Sequence, residues 1–492
     1  MIIIKARLPH SFFTYASNFS LVSMIMVISN LSYEIFMNPD KDMGRFAKKI
    51  KYTVDINKRV IKHTADVVQT WLIDMLYDII VNCNYGTKSI TVSEALHLIA
   101  LYNDYSDDRD RFQFKKSDIW LRVYGFFGEQ KKFQSSFFAE NFSREKYILE
   151  SISKKEHTKN TYNIDITKVF SEITNYSTDE YSSIFYVTTL IFLTSKGIIF
   201  SNNLPTDFAN KIFSQDNIIN ILNQNSTTIN EIRNSNLKRQ LFYSKPIIKI
   251  ENFYIATNPH LMQSLFVNSN YWIIRNEFNS RKSQKFINAF GIYFEMYVEE
   301  ILEYCLKPNQ FKHINEANNG KRADWIISID KYNFIIEQKS TLSLLGIKQN
   351  QSDTESMKKY ILKTWGEAVR QLNETQIALD ISEPIKIILL YEDYYKSECL
   401  DELFSLDNEL KNDYNYWLVN IREFEMLFMT YKNTPDKFFK IVSDKIKSEH
   451  EHSLEGRELE MFLFDNNIKE NQFLAETGIM EQYKKIKNAI FK

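Results

Sequence analysis

The 492-residue chain contains 11 glycines, 8 prolines and 3 cysteines. So few backbone breakers exclude a linker-rich or collagen-like chain and favour long helices joined by short turns. Cys83, Cys305 and Cys399 lie far apart, without a Cys-x-x-Cys pair and without zinc-ligand spacing to the 8 histidines. This excludes a disulfide scaffold and a zinc ribbon. No His-x-x-x-His pair occurs either, so a metalloprotease-type helix is absent from the sequence. An odd, sparse set of thiols fits a reducing compartment, and the expected localisation is cytoplasmic. Charge of one sign is lacking as well: 61 Lys and Arg against 62 Asp and Glu leave a formal net charge of -1. No global field draws in nucleic acid, so any polyanion binding must be local. Long hydrophobic runs are missing too. Leu21 to Ile28 follows Lys5 and Arg7 but is interrupted by Ser23 and lacks a small-x-small cleavage site. Tyr181 to Ser195 carries no charge, yet it falls short of the ~20 residues that a spanning helix needs, and Gly197 marks a helix end. Both stretches are expected in a buried core, with no membrane partner.

What is present is ample core material, 44% hydrophobic with 14% aromatic residues, enough for two or three domains. Residues 1–240 read as a mainly α-helical N-terminal region, from stripes such as Val67, Trp71, Leu72, Met75 and Ile79. Its expected role is sensing or target binding, through a protein partner or a second copy of the chain. Residues 241–284 read as a β-hairpin, turning at Glu251-Asn252, followed by a connector; 285–430 as an α/β domain; and 431–492 as a helical tail. Between Arg45 and Lys62, Lys48, Lys49, Lys51, Lys58 and Arg59 face a single acid, Asp55, with Phe46 and Tyr52 interleaved. A solvated helix face is one reading; contact of Lys48 and Lys49 with a phosphate backbone is the other. Asp104, Asp107, Asp108 and Asp110 cluster around Arg109 and Arg111 without the Gly and alternate spacing of a calcium loop, and read as an exposed turn.

The chemistry concentrates in Gly320 to Ser340. Asp324 opens one apolar strand and Glu337-Gln338-Lys339 closes the next. Side chains alternate faces along a strand, so Asp324, Ile326 and Ser328 share one face and Ile335, Glu337 and Lys339 share another. A turn at Lys331-Tyr332 would pair Asp330 with Asn333, setting Asp324 opposite Lys339 with Glu337 diagonal to it. Two converging carboxylates suit Mg2+, a hard cation with oxygen ligands, for which Mn2+ substitutes; the backbone carbonyl of Gln338 is a further candidate ligand. Lys339 beside them is placed to orient water or to offset charge on a reacting phosphate.

Here the chain resembles the PD-(D/E)XK, or restriction-endonuclease-like, nuclease superfamily over residues 285–430. Asp324, Glu337 and Lys339 take the three motif places, while Ala323 stands where the name-giving Pro would be. The flanking order fits: a helix around 285–305, the hairpin of 322–340, a helix around 355–379, then strands at 385–391 and 416–421. The resemblance implies a mixed sheet flanked by helices and a Mg2+-dependent nuclease that cleaves phosphodiester bonds, with DNA as the expected substrate. Restriction or antiphage defence is the expected setting. The alternative is a non-cleaving nucleic-acid-binding or assembly protein that retains the fold.

Around the triad, Glu295 shares a helical face with Gly291, Val298 and Leu302, and fits as a fourth carboxylate near the metal better than Glu299, whose face also carries Glu303. On the following helix, Met357, Ile361, Trp365, Val369 and Leu372 form the packing stripe. Lys363, Glu367 and Gln371 line up beside it, and Lys363 and Gln371 are candidates for substrate contact. Some relatives carry Gln-x-x-x-Tyr on this helix; Thr375 occupies the Tyr place here. His313 reads as an ordinary strand residue.

Overall fold

The computed structural model describes residues 10–56, 58–111, 138–156, 162, 164–201, 214–237, 240–314, 322–340, 354–391, 399–407, 409–451, 458–468, 471–481 and 483–485. The apolar run beginning at Leu21 lies in helix α1 (Leu21–Met37), whose Met24, Ile25 and Ile28 are buried. The basic segment after it is not helical. It forms an antiparallel hairpin of β1 (Ala47–Ile56) and β2 (Arg59–Val68), because Ile50, Tyr52 and Val54 alternate with Lys49, Lys51 and Thr53 at period two. Helices α2 (Gln69–Asn82) and α3 (Val92–Arg111) follow. The acidic cluster expected as an exposed turn lies in the last turns of α3, where no breaker interrupts the helix; the side chains of residues 107–111 are outside the described set.

Helix α4 (Phe138–Glu150) leads toward α5 (Thr178–Thr194), the second uncharged stretch, which opens with a Ser177/Glu180 capping box. Gly197 beyond its end takes φ 89°, and a Cβ there would lie 2.8 Å from the Tyr33 ring. A four-stranded sheet follows in the order β3 (Ile198–Phe200), β6 (Phe253–Ala256), β5 (Ile247–Ile250), β4 (Ser226–Thr227). Its β5–β6 hairpin turns at Glu251-Asn252. The N-terminal region therefore mixes helices with a hairpin and two strands of this sheet. Among the described residues no helix is long and apolar enough to cross a membrane. Cys83 and Cys305 are buried free thiols, and burial pushes both up to about 12.

Helix α6 (Pro259–Ser280), capped by Asn258, precedes α7 (Lys285–Cys305). A five-stranded mixed sheet then forms from β7 (Phe311–His313), β8 (Trp325–Ile329), β9 (Tyr332–Lys339), β10 (Ile385–Leu390) and β11 (Tyr416–Asn420). The first three run antiparallel, and β10 and β11 join parallel to β9 in the order β11-β10-β9-β8-β7. A parallel β9–β10 step requires a crossover. Here α8 (Thr354–Ile361) supplies it, running through a π-helical turn (Leu362–Gly366) into α9 (Glu367–Leu379).

Both faces of the sheet are covered. Trp325, Ile327, Phe334 and Ile336 pack with Phe294, Val298 and Leu302 of α7 in the largest core. That core also takes in α10 (Ile421–Asn433) and α11 (Pro435–His450). On the other face, Ile335, Ile388 and Leu418 meet Trp365, Val369 and Leu372 of the crossover, the stripe expected from the sequence; the Met357 side chain lies outside the described set. A buried ion pair binds distant segments together. Arg144 of α4 donates through Nε and Nη2 to the two oxygens of Glu425 in α10, each at 2.6 Å. Tyr297 and Asn471 donate to the same carboxylate at 2.5 Å each.

Candidate active site

The β8–β9 hairpin turns one residue earlier than the sequence suggests. Ile329 pairs with Tyr332, so Asp330 and Lys331 form the turn, and the expected Asp330–Asn333 register is replaced. The reason is local: Asp330 adopts φ 52°, a left-handed conformation that Asp tolerates through its short polar side chain. Tyr332 is thereby freed to stack on Phe439.

Asp324 consequently does not stand opposite Lys339. It bends away at the mouth of β8, where its backbone N–H donates to Ile336 O at 2.9 Å and its carboxylate accepts from the Gln338 N–H at 2.7 Å. These two contacts bracket Glu337. Lys339 Nζ donates to Glu337 Oε1 at 2.5 Å and to Gln371 Oε1 at 3.1 Å. Asp324, Glu337 and Lys339 thus meet at one end of the sheet, although by a different register.

The electrostatics of this end are those of crowded negative charge. Glu337 is 3% exposed. Burial, then the charge of Glu337, and then that of Glu295, push the Asp324 carboxyl well above its usual range. The Gln338 N–H and Lys339 act in the opposite sense and do not offset it. A divalent cation would supply the missing positive charge to this donor set. Strand geometry turns the Gln338 carbonyl the same way as its N–H, toward Asp324. The Gln338 side chain goes elsewhere, with Trp325 Nε1 donating to its Oε1 at 3.4 Å. Among the described residues, however, no three His, Cys, Asp or Glu side chains are already gathered as a metal cage. Two carboxylates at one strand end are a donor set that a hydrated ion such as Mg2+ would use, since it takes one or two carboxylates and keeps several waters.

Glu295 reaches this end from α7, which covers the opposite face of the sheet. There it pairs with His313 of β7, Nε2 to Oε1 at 2.7 Å, and the His313 ring lies edge-on to Trp325 at 4.8 Å. His313 is a strand residue, as expected, and pairs with Glu295. The sequence places His313 on the strand after the Glu295 helix, but not the pairing itself, because β7 and α7 are brought together only by the sheet.

The crossover helix contributes a clamp that was only half visible in the sequence. Besides holding Lys339, Gln371 donates from Nε2 to Arg322 O at 3.3 Å. One turn on, Thr375 Oγ1 accepts from the Ala323 N–H at 2.8 Å and donates to Gln371 O at 2.7 Å. Gln371 and Thr375 therefore fix the backbone on both sides of the 322–323 peptide, immediately before Asp324. Their i, i+4 spacing on a face beside the packing stripe is the signal that marks them. Lys363 is exposed on the same crossover. Lys48 and Lys49 are separated by strand alternation: Lys48 donates to Asn38 O at 3.3 Å, and Lys49 points outward, 3.7 Å from Asp66.

No family profile, no curated protein and no solved structure matches this chain.

Proposed function

We propose that the chain is a metal-dependent nuclease of the PD-(D/E)XK type, hydrolysing phosphodiester bonds, with DNA as its substrate. The observation that carries this reading is Asp324 and Glu337 held side by side at one strand end, with Lys339 bonded to Glu337. The strand order β11-β10-β9-β8-β7, with α7 before it and a helical crossover within it, supports the same reading.

In this mechanism Asp324, Glu337 and the Gln338 carbonyl would hold Mg2+ or Mn2+. When bound, the ion supplies Lewis-acid polarisation of the phosphate and a more acidic water. The remaining work falls to the chain. Asp324 is kept in place by the Gln338 N–H and by the clamp on Arg322 and Ala323. Lys339 presents an ammonium whose three donors are shared between Glu337, Gln371 and the incoming water or phosphate oxygen. Glu337 is the contact that Lys339 exchanges as negative charge grows on the phosphate. Glu295, paired with His313, adds a carboxylate at the edge of the site.

The test is a panel of supercoiled plasmid, linear duplex, single-stranded DNA and RNA, each with Mg2+, Mn2+ or EDTA. The reading expects divalent-dependent cleavage of a DNA substrate that is lost in Asp324→Ala and Lys339→Ala. Cleavage indifferent to both substitutions, or none on any substrate, contradicts it.

A further inference from the structure

The β1–β2 hairpin takes no part in the site above, and its outer face is unusual for a chain of net charge -1. Across the ladder, Lys49 faces Asp66, Lys51 faces Thr64, Thr53 faces Lys62 and Asp55 faces Val60. These are the outward residues. The alternate set, including Tyr52, Val54, Ala65 and Val67, is buried in the second core with α2 and α3. Lys58, at φ 65°, extends the basic surface to the tip, while Arg59, also exposed, pairs with Ile56 on the alternate face.

Lys51, Lys58, Arg59 and Lys62 form no ion pair or side-chain hydrogen bond among the described residues. The Lys49–Asp66 pair is 77% and 54% exposed at 3.7 Å, a geometry that neutralises little. Four cations, Lys49, Lys51, Lys58 and Lys62, against two acids, Asp55 and Asp66, therefore project from one ribbon. Outward apolar surface is confined to Val60, 67% exposed, which argues against an apolar protein partner. Shape narrows the choice among polyanions. Two strands about 4.8 Å apart make a ribbon that fits the ~12 Å major groove of B-DNA, a groove that two-stranded ribbons enter. Each strand has 10 residues, which at about 3.3 Å per residue approaches one ~34 Å helical turn.

We infer that the outer face of this hairpin docks on duplex DNA, with Lys49, Lys51, Lys58 and Lys62 on the phosphates. Docking needs no metal and does not depend on the chemistry at Asp324. Each phosphate neutralised by a cation releases condensed counterions, so the contact carries a salt signature.

The experiment measures binding of fluorescent duplex DNA to the full-length chain in EDTA across a KCl series. Asp324→Ala is run in parallel to separate docking from cleavage. The triple variant Lys49→Gln/Lys51→Gln/Lys62→Gln is expected to weaken binding by ~10-fold or more, and to lower the log–log salt slope by about 2 to 3, near 0.9 per lost phosphate contact. The matching Lys→Arg triple retains both affinity and slope, which guards against a folding defect. A Lys447→Gln/Lys484→Gln control, at exposed lysines elsewhere, leaves the slope unchanged. An unchanged slope in the Gln triple, no binding by the parent chain, or tighter binding to RNA or heparin than to duplex DNA overturns the inference.

Discussion

The Asp324 carboxylate accepts the backbone N–H of Gln338 at 2.7 Å, which places it against Glu337, the neighbour whose charge raises its pKa most. On the proposed reading, the crowded carboxylates cost stability without a cation and gain it with one. Asp324→Asn removes the repulsion while keeping the shape, so its metal-free melting temperature is expected at or above that of the parent. The parent gains stability from Mg2+, about 2.7 kcal/mol at a hundredfold excess over Kd, and the variant does not. Thermal melts with EDTA and with Mg2+ check both halves.

The clamp on the crossover helix acts through Lys339 and the peptide before Asp324. Gln371→Ala is expected to slow single-turnover cleavage by about 10- to 100-fold, with little change in global stability. Thr375→Val strips the hydroxyl from a buried Ala323 N–H and costs about 1–3 kcal/mol. Denaturant titration beside the kinetics separates the two effects.

Legibility in the sequence followed the range of the interaction. The helix, hairpin, helix and two strands of the 285–421 segment were readable because stripes, alternation and breakers are local signals. The β5–β6 turn at Glu251-Asn252 was readable for the same reason. The β8–β9 register was not, since it depended on Asp330 accepting a left-handed φ that other residues resist. In β1, lysine spacing obscures the period-two signal of Ile50, Tyr52 and Val54, so the sequence suggests a solvated helix face where a hairpin forms. The His313–Glu295 pair and the Thr375 hydrogen bond to Ala323 join separate elements. No local pattern could announce them.

Glu145 on α4 provides a pH signature. It is 2% exposed and accepts the Tyr271 N–H at 3.2 Å. Burial pushes its carboxyl well above the ordinary Glu value, against the pull of the Tyr271 and Asn270 amides. Between ~4.3, the unfolded value, and the raised folded value, the folded chain holds the extra proton. Stability from this group is therefore full at acidic pH and lost as pH rises through the folded value. Melts of the parent should fall across that window, and Glu145→Gln should flatten the fall. A parallel pH profile in both proteins contradicts the assignment.

The bidentate Arg144–Glu425 pair joins residues 281 apart in sequence. Breaking it with Arg144→Met leaves a buried carboxylate short of its cation and is expected to cost about 3–5 kcal/mol. Urea unfolding followed by Trp fluorescence and by circular dichroism checks this. Because the pair lies in the core that also holds the β8–β9 sheet, the two probes should shift together.

Single-turnover cleavage on the best substrate of the panel, started with Mg2+, tests the central claim most directly. Parent, Asp324→Asn and Lys339→Met are compared, each first shown to melt cooperatively. The account predicts cleavage by the parent and a loss of at least ~100-fold in both variants. Parent activity retained in either variant, or a folded parent inactive on every substrate, would contradict it.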